Sequence, residues 1–430
     1  MNNAITTLVG EEMGLLGVVK WYGTLAAPNG SLYGIPNSAR RVLKFNSVDK
    51  SVTEIGPDFG DGGWKWSRGA ITESGIIYCL PCDDDRGILK IDTNTDTVIE
   101  LDVTHLPEQG YNRWESCASL SLDGCIYFMP FQARRIMKLD PNDNDAMSSV
   151  GNDVGDGLND LYSGTVIIDQ YVYGIPSNRN HILKYDAISD ITSFVAEALK
   201  AQAVCGNGAV GRDGCIYVLN ELNQVVKIDT TNNSHSFVGN RLQSDPNDRS
   251  RWGFWGDAVL GIDGCIYWPP CRSRRTLKCD PYLDQTSLVG DDCGISYNSI
   301  WSSGGLATDG VIYCLPKSAN QVLAIDPIGE LLAATKAKVL EHPEDFGHVF
   351  QIIEADGDDS VPSLTNFGRA VHKFGENKVL EVLGEAMEPV NVHCRKSNLC
   401  PFMIVASKEE SPVCAINYLL RRDLSWVVNP

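Results

Sequence analysis

Several features that would indicate a chemical activity are scarce or missing in this sequence. Its 430 residues include only 7 histidines, and none of them stands in a recognisable serine or cysteine catalytic motif. Basic residues are in the minority, with 36 lysines and arginines against 55 acidic residues and a formal net charge of −19. Because nucleic acids and anionic membranes repel an acidic surface, this composition argues against both as general partners.

Long apolar stretches are also missing. No segment approaches the length of a transmembrane helix, and the first residues show no basic segment followed by an apolar run, as a secretory signal would. We therefore expect a cytoplasmic protein in which the 14 cysteines are reduced thiols rather than a disulfide framework. The sequence predicts no cofactor and leaves the oligomeric state open.

What the sequence does contain is one motif repeated seven times. Its clearest copy is Asp263-Gly264-Cys265-Ile266-Tyr267, followed by Pro270 and by the run Leu277-Lys278-Cys279-Asp280. The anchor tyrosines of the repeats stand 44–50 residues apart and are Tyr33, Tyr78, Tyr127, Tyr173, Tyr217, Tyr267 and Tyr313. A period near 45 residues with strand-like content is typical of propeller blades. The sequence therefore predicts a mainly β fold, a seven-bladed β-propeller.

Each repeat can be divided into four short strands, which in the second repeat are residues 68–72, 76–80, 88–92 and 97–101. Between the first two stands Ser74-Gly75, and four other repeats have Asp-Gly there. Such pairs suit the positive backbone angles of a two-residue hairpin. Pro81 suits the end of the second strand, because proline has no N–H to donate to a sheet.

The two ends of the repeat region complement each other. Residues 5–10 copy the fourth-strand ending seen at residues 286–290, yet no first, second or third strand precedes them. The seventh repeat has its first three strands and then turns into a helix-like segment at residues 331–334. We predict that the N-terminal strand completes blade seven and closes the ring. The alternative is that residues 328–334 complete that blade.

The repeat stops near residue 330, and the periodicity then becomes helical. Segments beginning at Phe367 and Phe402 align at an offset of 35 residues, and an apolar helical pattern follows each. These segments resemble two degenerate ankyrin-type repeats, although the Thr-Pro-Leu-His signature is absent. We therefore expect a propeller over residues 1–330 and a small α-helical, ankyrin-like domain over residues 331–430.

Residues 5–330 resemble the seven-bladed propellers built from D-G-x-I-Y-x-x-P and V-L-K-x-D repeats in large families of algae and related microbes. The tail, with Pro401-Phe402-Met403, resembles segments of ankyrin-like proteins from the same organisms. This resemblance implies the fold and brings no activity. A looser similarity to streptogramin lyases and calcium-dependent lactonases implies catalytic His and Glu, or Glu, Asn and Asp sets, and we find neither at matching positions.

Three kinds of residue collect at one end of the predicted ring. Tryptophans stand twelve or thirteen residues before five anchor tyrosines, namely Trp21, Trp66, Trp114, Trp255 and Trp301. Arginines stand four residues before the repeat lysine, namely Arg40, Arg86, Arg134 and Arg274. The loops that lead into the first strands carry acidic residues, among them Asp58, Asp61, Asp153 and Asp292.

Two interpretations of this end remain open. The tryptophans can wedge between blades while the charges are solvated, because aromatic wedges are a common way to bury area in repeats. Alternatively, tryptophan and arginine form an interaction surface, since both are over-represented at binding hot spots. The absence of a convergent acid, base and metal set favours a non-enzymatic scaffold that binds a protein partner here. The alternative function is a propeller hydrolase or lyase with a metal in the central channel.

Several short motifs suggest a metal site, but most of them are incomplete and are better explained by strand ends and turns. The pair Cys79 and Cys82 spells C-x-x-C, but the repeat places it at a strand end and no second pair accompanies it. Asp58 and Asp61 could hold calcium. The run from Asp140 to Asp145 lacks the glycine and glutamate of an EF-hand loop. His393, Cys394 and Cys400 lack a fourth zinc ligand.

Overall fold

A computed structural model of the chain describes residues 5–327 and residue 329. Within this range it leaves out residues 15–18, 83–85, 103–116, 155–160, 178, 180, 196–205, 221, 243–254 and 294–299. The chain divides into two compact units, of which the larger covers Thr6–Ala307 and Ile312–Ile325. The ankyrin-like domain predicted at residues 331–430 lies outside the described residues and stays a prediction. Within the described part, no helix is long and apolar enough to cross a membrane.

Twenty-eight strands form seven four-stranded antiparallel sheets in the described part, one for each predicted blade. After β1 (Ile5–Val9), blade 1 has β2 (Trp21–Ala26), β3 (Ser31–Pro36), β4 (Val42–Asn46) and β5 (Val52–Ile55); blade 2 has β6 (Ala70–Ile71), β7 (Ile76–Cys79), β8 (Ile88–Asp92) and β9 (Thr97–Leu101). Blade 3 has β10 (Ala118–Leu120), β11 (Ile126–Phe128), β12 (Ile136–Asp140) and β13 (Ala146–Val150).

The remaining blades follow the same plan. Blade 4 has β14 (Tyr162–Ile168), β15 (Tyr171–Pro176), β16 (Ile182–Asp186) and β17 (Ile191–Val195); blade 5 has β18 (Ala209–Val210), β19 (Ile216–Leu219), β20 (Val225–Asp229) and β21 (Ser234–Val238). Blade 6 has β22 (Val259–Leu260), β23 (Ile266–Trp268), β24 (Thr276–Asp280) and β25 (Gln285–Val289); blade 7 has β26 (Gly305–Leu306), β27 (Ile312–Cys314) and β28 (Val322–Asp326).

The first strand of each blade lies innermost, and the ring closes between blades 7 and 1. Successive inner strands from β6 to β26 neighbour one another, β26 neighbours β2, and the Arg68 amide donates to the Tyr22 carbonyl at 2.7 Å to join blades 1 and 2. The fourth strand of blade 7 is β1, which lies beside β28. The predicted closure by the N-terminal strand is therefore confirmed.

Two local predictions were wrong. The first strand of blade 2 begins at Ala70 rather than Arg68, because Arg68 and Gly69 have φ values of 52° and 150° and leave the extended region. The turns between first and second strands do not need two positive angles. Gly75 has φ 83° and its amide donates to the Thr72 carbonyl, whereas Ser74 is not among the positive-φ residues. This geometry is a type I turn followed by a left-handed glycine.

The core of the larger unit consists of layers between neighbouring blades. One layer packs Tyr33 and Ile35 of blade 1 against Ile77 and Leu89 of blade 2. Corresponding layers join blades 2 and 3, 3 and 4, 4 and 5, and 5 and 6. The anchor tyrosines are only 0–1% exposed, so the residue that defines the repeat is also the residue that seals the blade contacts.

In blades 1 to 6 the anchor tyrosine faces the repeat lysine across a strand pair, and in several of these blades one carboxylate binds both. In blade 3, Tyr127 lies opposite Lys138. The Tyr127 hydroxyl donates to Asp123 Oδ2 at 2.7 Å, and Lys138 Nζ lies 3.3 Å from the same oxygen. Blades 5 and 6 repeat this arrangement with Asp213 and Asp263. The aspartate of the Asp-Gly turn therefore has a structural role, because its carboxylate holds both the anchor tyrosine and the repeat lysine.

Blades 1 and 2 have no aspartate in this turn, and the next blade supplies it. Tyr33 donates to Asp96 Oδ1 at 2.9 Å, and Lys44 Nζ lies 2.6 Å from Asp96 Oδ2. The corresponding residues between blades 2 and 3 are Tyr78, Lys90 and Asp145. Blade 7 has Ala324 in place of the repeat lysine, and there Lys50 of blade 1 lies 4.6 Å from the Tyr313 ring centroid and contacts its hydroxyl. Neighbouring blades therefore compensate for departures from the motif.

Candidate functional site

The structure pairs three of the predicted arginines with the predicted acidic loops. Arg40 Nη2 lies 2.8 Å from Asp58 Oδ2, and its Nη1 lies 2.6 Å from Asp61 Oδ1. Arg134 and Arg274 make the same contact to the loops of their own blades, and the bonded pairs are Arg134–Asp153 and Arg274–Asp292 at 2.5 and 2.6 Å. These three ion pairs, on blades 1, 3 and 6, are called the rim pairs below.

The rim pairs are fixed in orientation but remain accessible. Nε and Nη2 of Arg40 both bond the Asp58 carboxylate, which holds the guanidinium plane in one position. The hydrogen bond from Arg40 holds the pKa of Asp58 below its usual value. The arginine side chains are 49–53% exposed, so solvent screens these pairs and they contribute little to stability.

Arg86 occupies a different environment from the other predicted arginines. Its Nη2 donates to the Phe59 carbonyl at 2.9 Å, and its guanidinium lies 5.4 Å from the Trp66 ring centroid. Its Nη1 lies 3.7 Å from Glu100 Oε2. Arg86 therefore joins blade 2 to the loop of blade 1 and is not one of the rim pairs.

Four of the five predicted tryptophans lie beneath the surface. Trp21, Trp66, Trp255 and Trp301 are buried, and each indole N–H donates to a backbone carbonyl just before the third strand of its blade, at 2.8–3.0 Å. Trp66 packs in the layer between blades 1 and 2, and Trp255 in the layer between blades 5 and 6. This packing matches the wedge interpretation. Trp114 lies outside the described residues.

A buried lysine, Lys65, holds the hairpin that carries the blade 1 rim pair, and a half-buried lysine makes the equivalent contact in blade 7. Lys65 is 2% exposed, and its Nζ donates to the carbonyls of Ser38, Ala39 and Gly62 at 3.4, 3.3 and 2.7 Å. Burial lowers the pKa of Lys65. Lys20 binds the equivalent carbonyl of Ala319 at 2.6 Å. Because Ala39 directly precedes Arg40, Lys65 helps to position the blade 1 rim pair.

A second group of polar residues, which the sequence patterns did not reveal, lies at the start of the inner strands. The position ten residues before each anchor tyrosine holds six different residue types in the seven blades, namely Gly23, Arg68, Cys117, Ser163, Asn207, Asp257 and Ser303. A repeat position whose side-chain chemistry changes from blade to blade is the sequence signal that could have identified this group. We call Arg68, Ser163, Asn207 and Asp257 the channel cluster.

Arg68 and Asp257 connect opposite sides of the ring. Arg68 Nη2 of blade 2 lies 3.0 Å from Asp257 Oδ1 of blade 6, and the two side chains are 12% and 10% exposed. Arg68 Nη1 donates to the Ser163 carbonyl at 3.3 Å, and Asp257 Oδ1 accepts the Asn207 amide at 2.7 Å. The left-handed backbone of Arg68, with φ 52°, costs free energy that the surrounding contacts must offset.

This pair provides a test of burial. Asp257→Ala leaves the Arg68 guanidinium without its carboxylate in a mostly buried position, so we expect a loss of about 3 kcal/mol in the free energy of unfolding. Asp58→Ala, at an exposed rim pair, should change stability little. Denaturant unfolding measures both. A double variant with Arg68→Ala should lose less than the sum of the single losses; additive losses would contradict the direct coupling.

The metal motifs do not form sites among the described residues. Cys79 and Cys82 are both buried, Cys82 Sγ lies 3.2 Å from Ser67 Oγ, and burial raises the pKa of Cys79. No group of three or more potential metal ligands occurs in the part of the chain that the structure describes. Asp140 accepts the Asn142 amide at 2.9 Å in a turn. His393, Cys394 and Cys400 lie outside the described residues.

Comparison with solved structures supports the fold. Streptogramin B lyase has a TM-score of 0.55 and 13% identity, covering 75% of this chain and 97% of that chain. A catalytically inactive virginiamycin B lyase from Staphylococcus aureus, solved with quinupristin, has a TM-score of 0.58 and 13% identity over 75% and 99% of the two chains. The fold is that of a β-propeller.

The WD40 propeller domain of Doa1 is also similar, with a TM-score of 0.53 and 13% identity over 74% of this chain and 97% of that chain. No protein-family model matches the chain, and no curated protein matches it in sequence. The neighbours thus include both a lyase and a WD40 domain, and at such identities the similarity concerns the propeller fold alone.

Proposed function

We propose that this propeller is a non-enzymatic, cytoplasmic interaction scaffold and that it binds a protein partner on the face that carries the rim pairs. The observation that carries the proposal is the repetition of one half-exposed Arg–Asp pair at equivalent positions of blades 1, 3 and 6. Such a surface presents fixed charges of both signs, which suits a protein partner better than a polyanion.

Preorganisation is the physical reason for choosing this surface. A bonded guanidinium has already lost most of its rotamer freedom, so a partner carboxylate that binds it does not have to offset that entropy again. The tryptophans of the predicted surface support it from below, since the Trp21 indole bonds the Arg41 carbonyl next to Arg40. Their direct contact with a partner stays a prediction.

The alternative proposal is a hydrolase or lyase that uses the channel. The channel cluster contributes one carboxylate and one amide, and Arg68 already binds the carboxylate. This donor set does not fit a divalent ion, which prefers several free oxygen ligands. The donor chemistry therefore supports the scaffold over a metal-dependent enzyme.

Charge reversal tests the scaffold. Changing Arg40, Arg134 and Arg274 together to Glu should weaken partner binding about tenfold or more, because these changes place like charges beside the loop aspartates and remove three candidate hot spots. Proteins captured from a cell extract are purified and titrated separately against the parent and the variant. The melting temperature should stay close to that of the parent.

Two controls sharpen this test. Arg212→Glu makes the same type of change on an exposed residue of a first-to-second-strand turn, at the opposite end of the blades, and should leave binding unchanged. The swap of Arg134→Asp with Asp153→Arg keeps net charge and ion pair but exchanges their positions, so it should also weaken binding. Equal affinity of the parent and the triple variant for every captured protein would place the binding site elsewhere.

A further inference from the structure

A small group of cations surrounds the channel cluster in this otherwise acidic protein. Lys317 and Arg272 lie in the hairpins between the second and third strands of blades 7 and 6. Those hairpins and the starts of the inner strands lie at the same end of their antiparallel blades. Lys317 lies close enough to four side chains for them to change its pKa electrostatically, namely Cys271, Arg68, Asp257 and Arg272. Three cations therefore share this region with one carboxylate, Asp257.

That carboxylate is already bonded. Asp257 Oδ1 accepts from Arg68 Nη2 at 3.0 Å and from the Asn207 amide at 2.7 Å. The positive charges of Lys317 and Arg272 are consequently not neutralised by it through a direct ion pair. Arg68, Lys317, Arg272 and Asp257 together carry an excess of positive charge, whereas the whole chain has a net charge of −19.

Lys317 has no hydrogen-bond acceptor for its ammonium group within the described part of the chain. Its Nζ lies 3.7 Å from the Tyr22 ring centroid, and the Arg68 guanidinium lies 5.1 Å from the same centroid. Burial lowers the pKa of Lys317 most; Cys271 and Asp257 raise this pKa, and the charges of Arg68 and Arg272 lower it. Lys317 is half-buried, so its ammonium group, which contacts an aromatic ring, has lost part of its hydration without regaining hydrogen bonds within the described residues.

Arg272 shows the same deficit. Its Nε is buried and has no hydrogen-bond partner among the described residues. Lys317 is also a departure from the repeat, because the equivalent positions after the second strand hold Asn37, Cys82, Phe131, Ser177, Glu221 and Cys271. Two under-bonded cationic groups therefore occur in neighbouring blades beside a fixed Arg–Asp pair.

We propose that the mouth of the central channel binds the oxyanion group, phosphate or carboxylate, of a small molecule through Lys317 and Arg272. An oxyanion supplies the acceptors that both groups lack and neutralises the excess charge, and hydrogen bonds between charged partners are the strong ones. The Arg68–Asp257 pair and Tyr22 form the wall of this site. The site is separate from the rim pairs and does not depend on a protein partner.

Inorganic phosphate and succinate serve as probes, each titrated by calorimetry into the full chain at constant ionic strength. We expect saturable binding of at least one probe and a concentration-dependent rise in the melting temperature. Lys317→Gln should weaken that binding at least about tenfold, because a charge-assisted hydrogen bond is lost. Arg272→Gln should weaken it in the same direction.

Lys184→Gln is the matched control. Lys184 Nζ lies 3.6 Å from the Tyr171 ring centroid, so this lysine has the same ring contact but stands on β16, away from the channel mouth. This variant should bind the probes like the parent. Binding of phosphate alone, succinate alone or both would identify the preferred oxyanion. The proposal is overturned if the parent binds neither probe saturably, or if folded Lys317→Gln binds as tightly as the parent.

Discussion

Deletion of residues 1–10 is expected to lower the melting temperature sharply, on the order of 10 °C. β1 is the outer strand of blade 7, so its removal leaves β28 as an unpaired edge. It also removes Thr6, which is buried and whose Oγ1 accepts the Asp291 amide at 2.8 Å. Blade 7 therefore loses both its strand pairing and its contact with the end of blade 6. Calorimetric melts of the full and shortened chains measure the effect.

Two controls separate strand pairing from general damage. Leu8 is 53% exposed on β1, so Leu8→Ser keeps the strand and should melt close to the parent. A synthetic peptide of residues 1–10, added to the shortened chain, should restore the melting temperature in a saturable way. An unchanged melt of the shortened chain would mean that another segment, such as residues 328–334, can take the place of β1.

The blades and their closure could be predicted because the residues that define them act locally. A tyrosine, a proline and a lysine at nearly fixed offsets mark the second and third strands of most blades, although blade 5 has Asn220 in place of the proline and blade 7 has Ala324 in place of the lysine. Residues 5–10 carry the pattern of a fourth strand. Strand order within a blade then follows from short connections. The seven sheets of the described part agree with this prediction.

The direction and pairing of side chains were harder to predict. The spacing of Trp66 from Tyr78 identifies the end of the blade, but it does not say whether the indole points outward or into the layer between blades. Only packing decides that, and Trp66 is buried there. The pairing of Arg40 with Asp58 could have been predicted, because the sequence places both residues at the same end of the ring. The bidentate geometry of the pair could not have been predicted.

Contacts between blades were beyond local patterns. Arg68 and Asp257 are 189 residues apart, and nothing near either residue predicts the other. The aspartate that binds Tyr33 comes from blade 2, since blade 1 has Asn29 where four other repeats have the aspartate of an Asp-Gly turn. Such substitutions show that each blade contact keeps the same kinds of side chain. Which of the two blades supplies a given side chain can vary.

Alkaline pH is expected to unfold the propeller cooperatively once it passes 10, the ordinary pKa of tyrosine. The pKa is raised, chiefly by burial, for five anchor tyrosines, namely Tyr33, Tyr78, Tyr127, Tyr173 and Tyr217. Above pH 10 the unfolded chain releases these protons while the folded protein retains them, so proton release favours unfolding. The stability that these groups provide is present below pH 10 and is lost as the pH rises.

The expected effect is large because the tyrosines act together. Each group can reduce the free energy of unfolding by at most about 1.4 kcal/mol per pH unit, and five groups by about 7 kcal/mol per pH unit. A typical domain has a total stability of about 5–15 kcal/mol. Far-ultraviolet circular dichroism and tyrosinate absorbance should therefore change together in one transition.

A pair of single substitutions links this transition to the blade contacts. Tyr127→Phe removes one of the five groups, so the free energy of unfolding should fall less steeply with pH, even though the lost hydrogen bond to Asp123 lowers stability at neutral pH. Phe237 is 56% exposed and has no group that ionises, so Phe237→Leu should leave the slope unchanged. Ionisation of the buried tyrosines well before unfolding, in the parent protein, would contradict the proposed linkage.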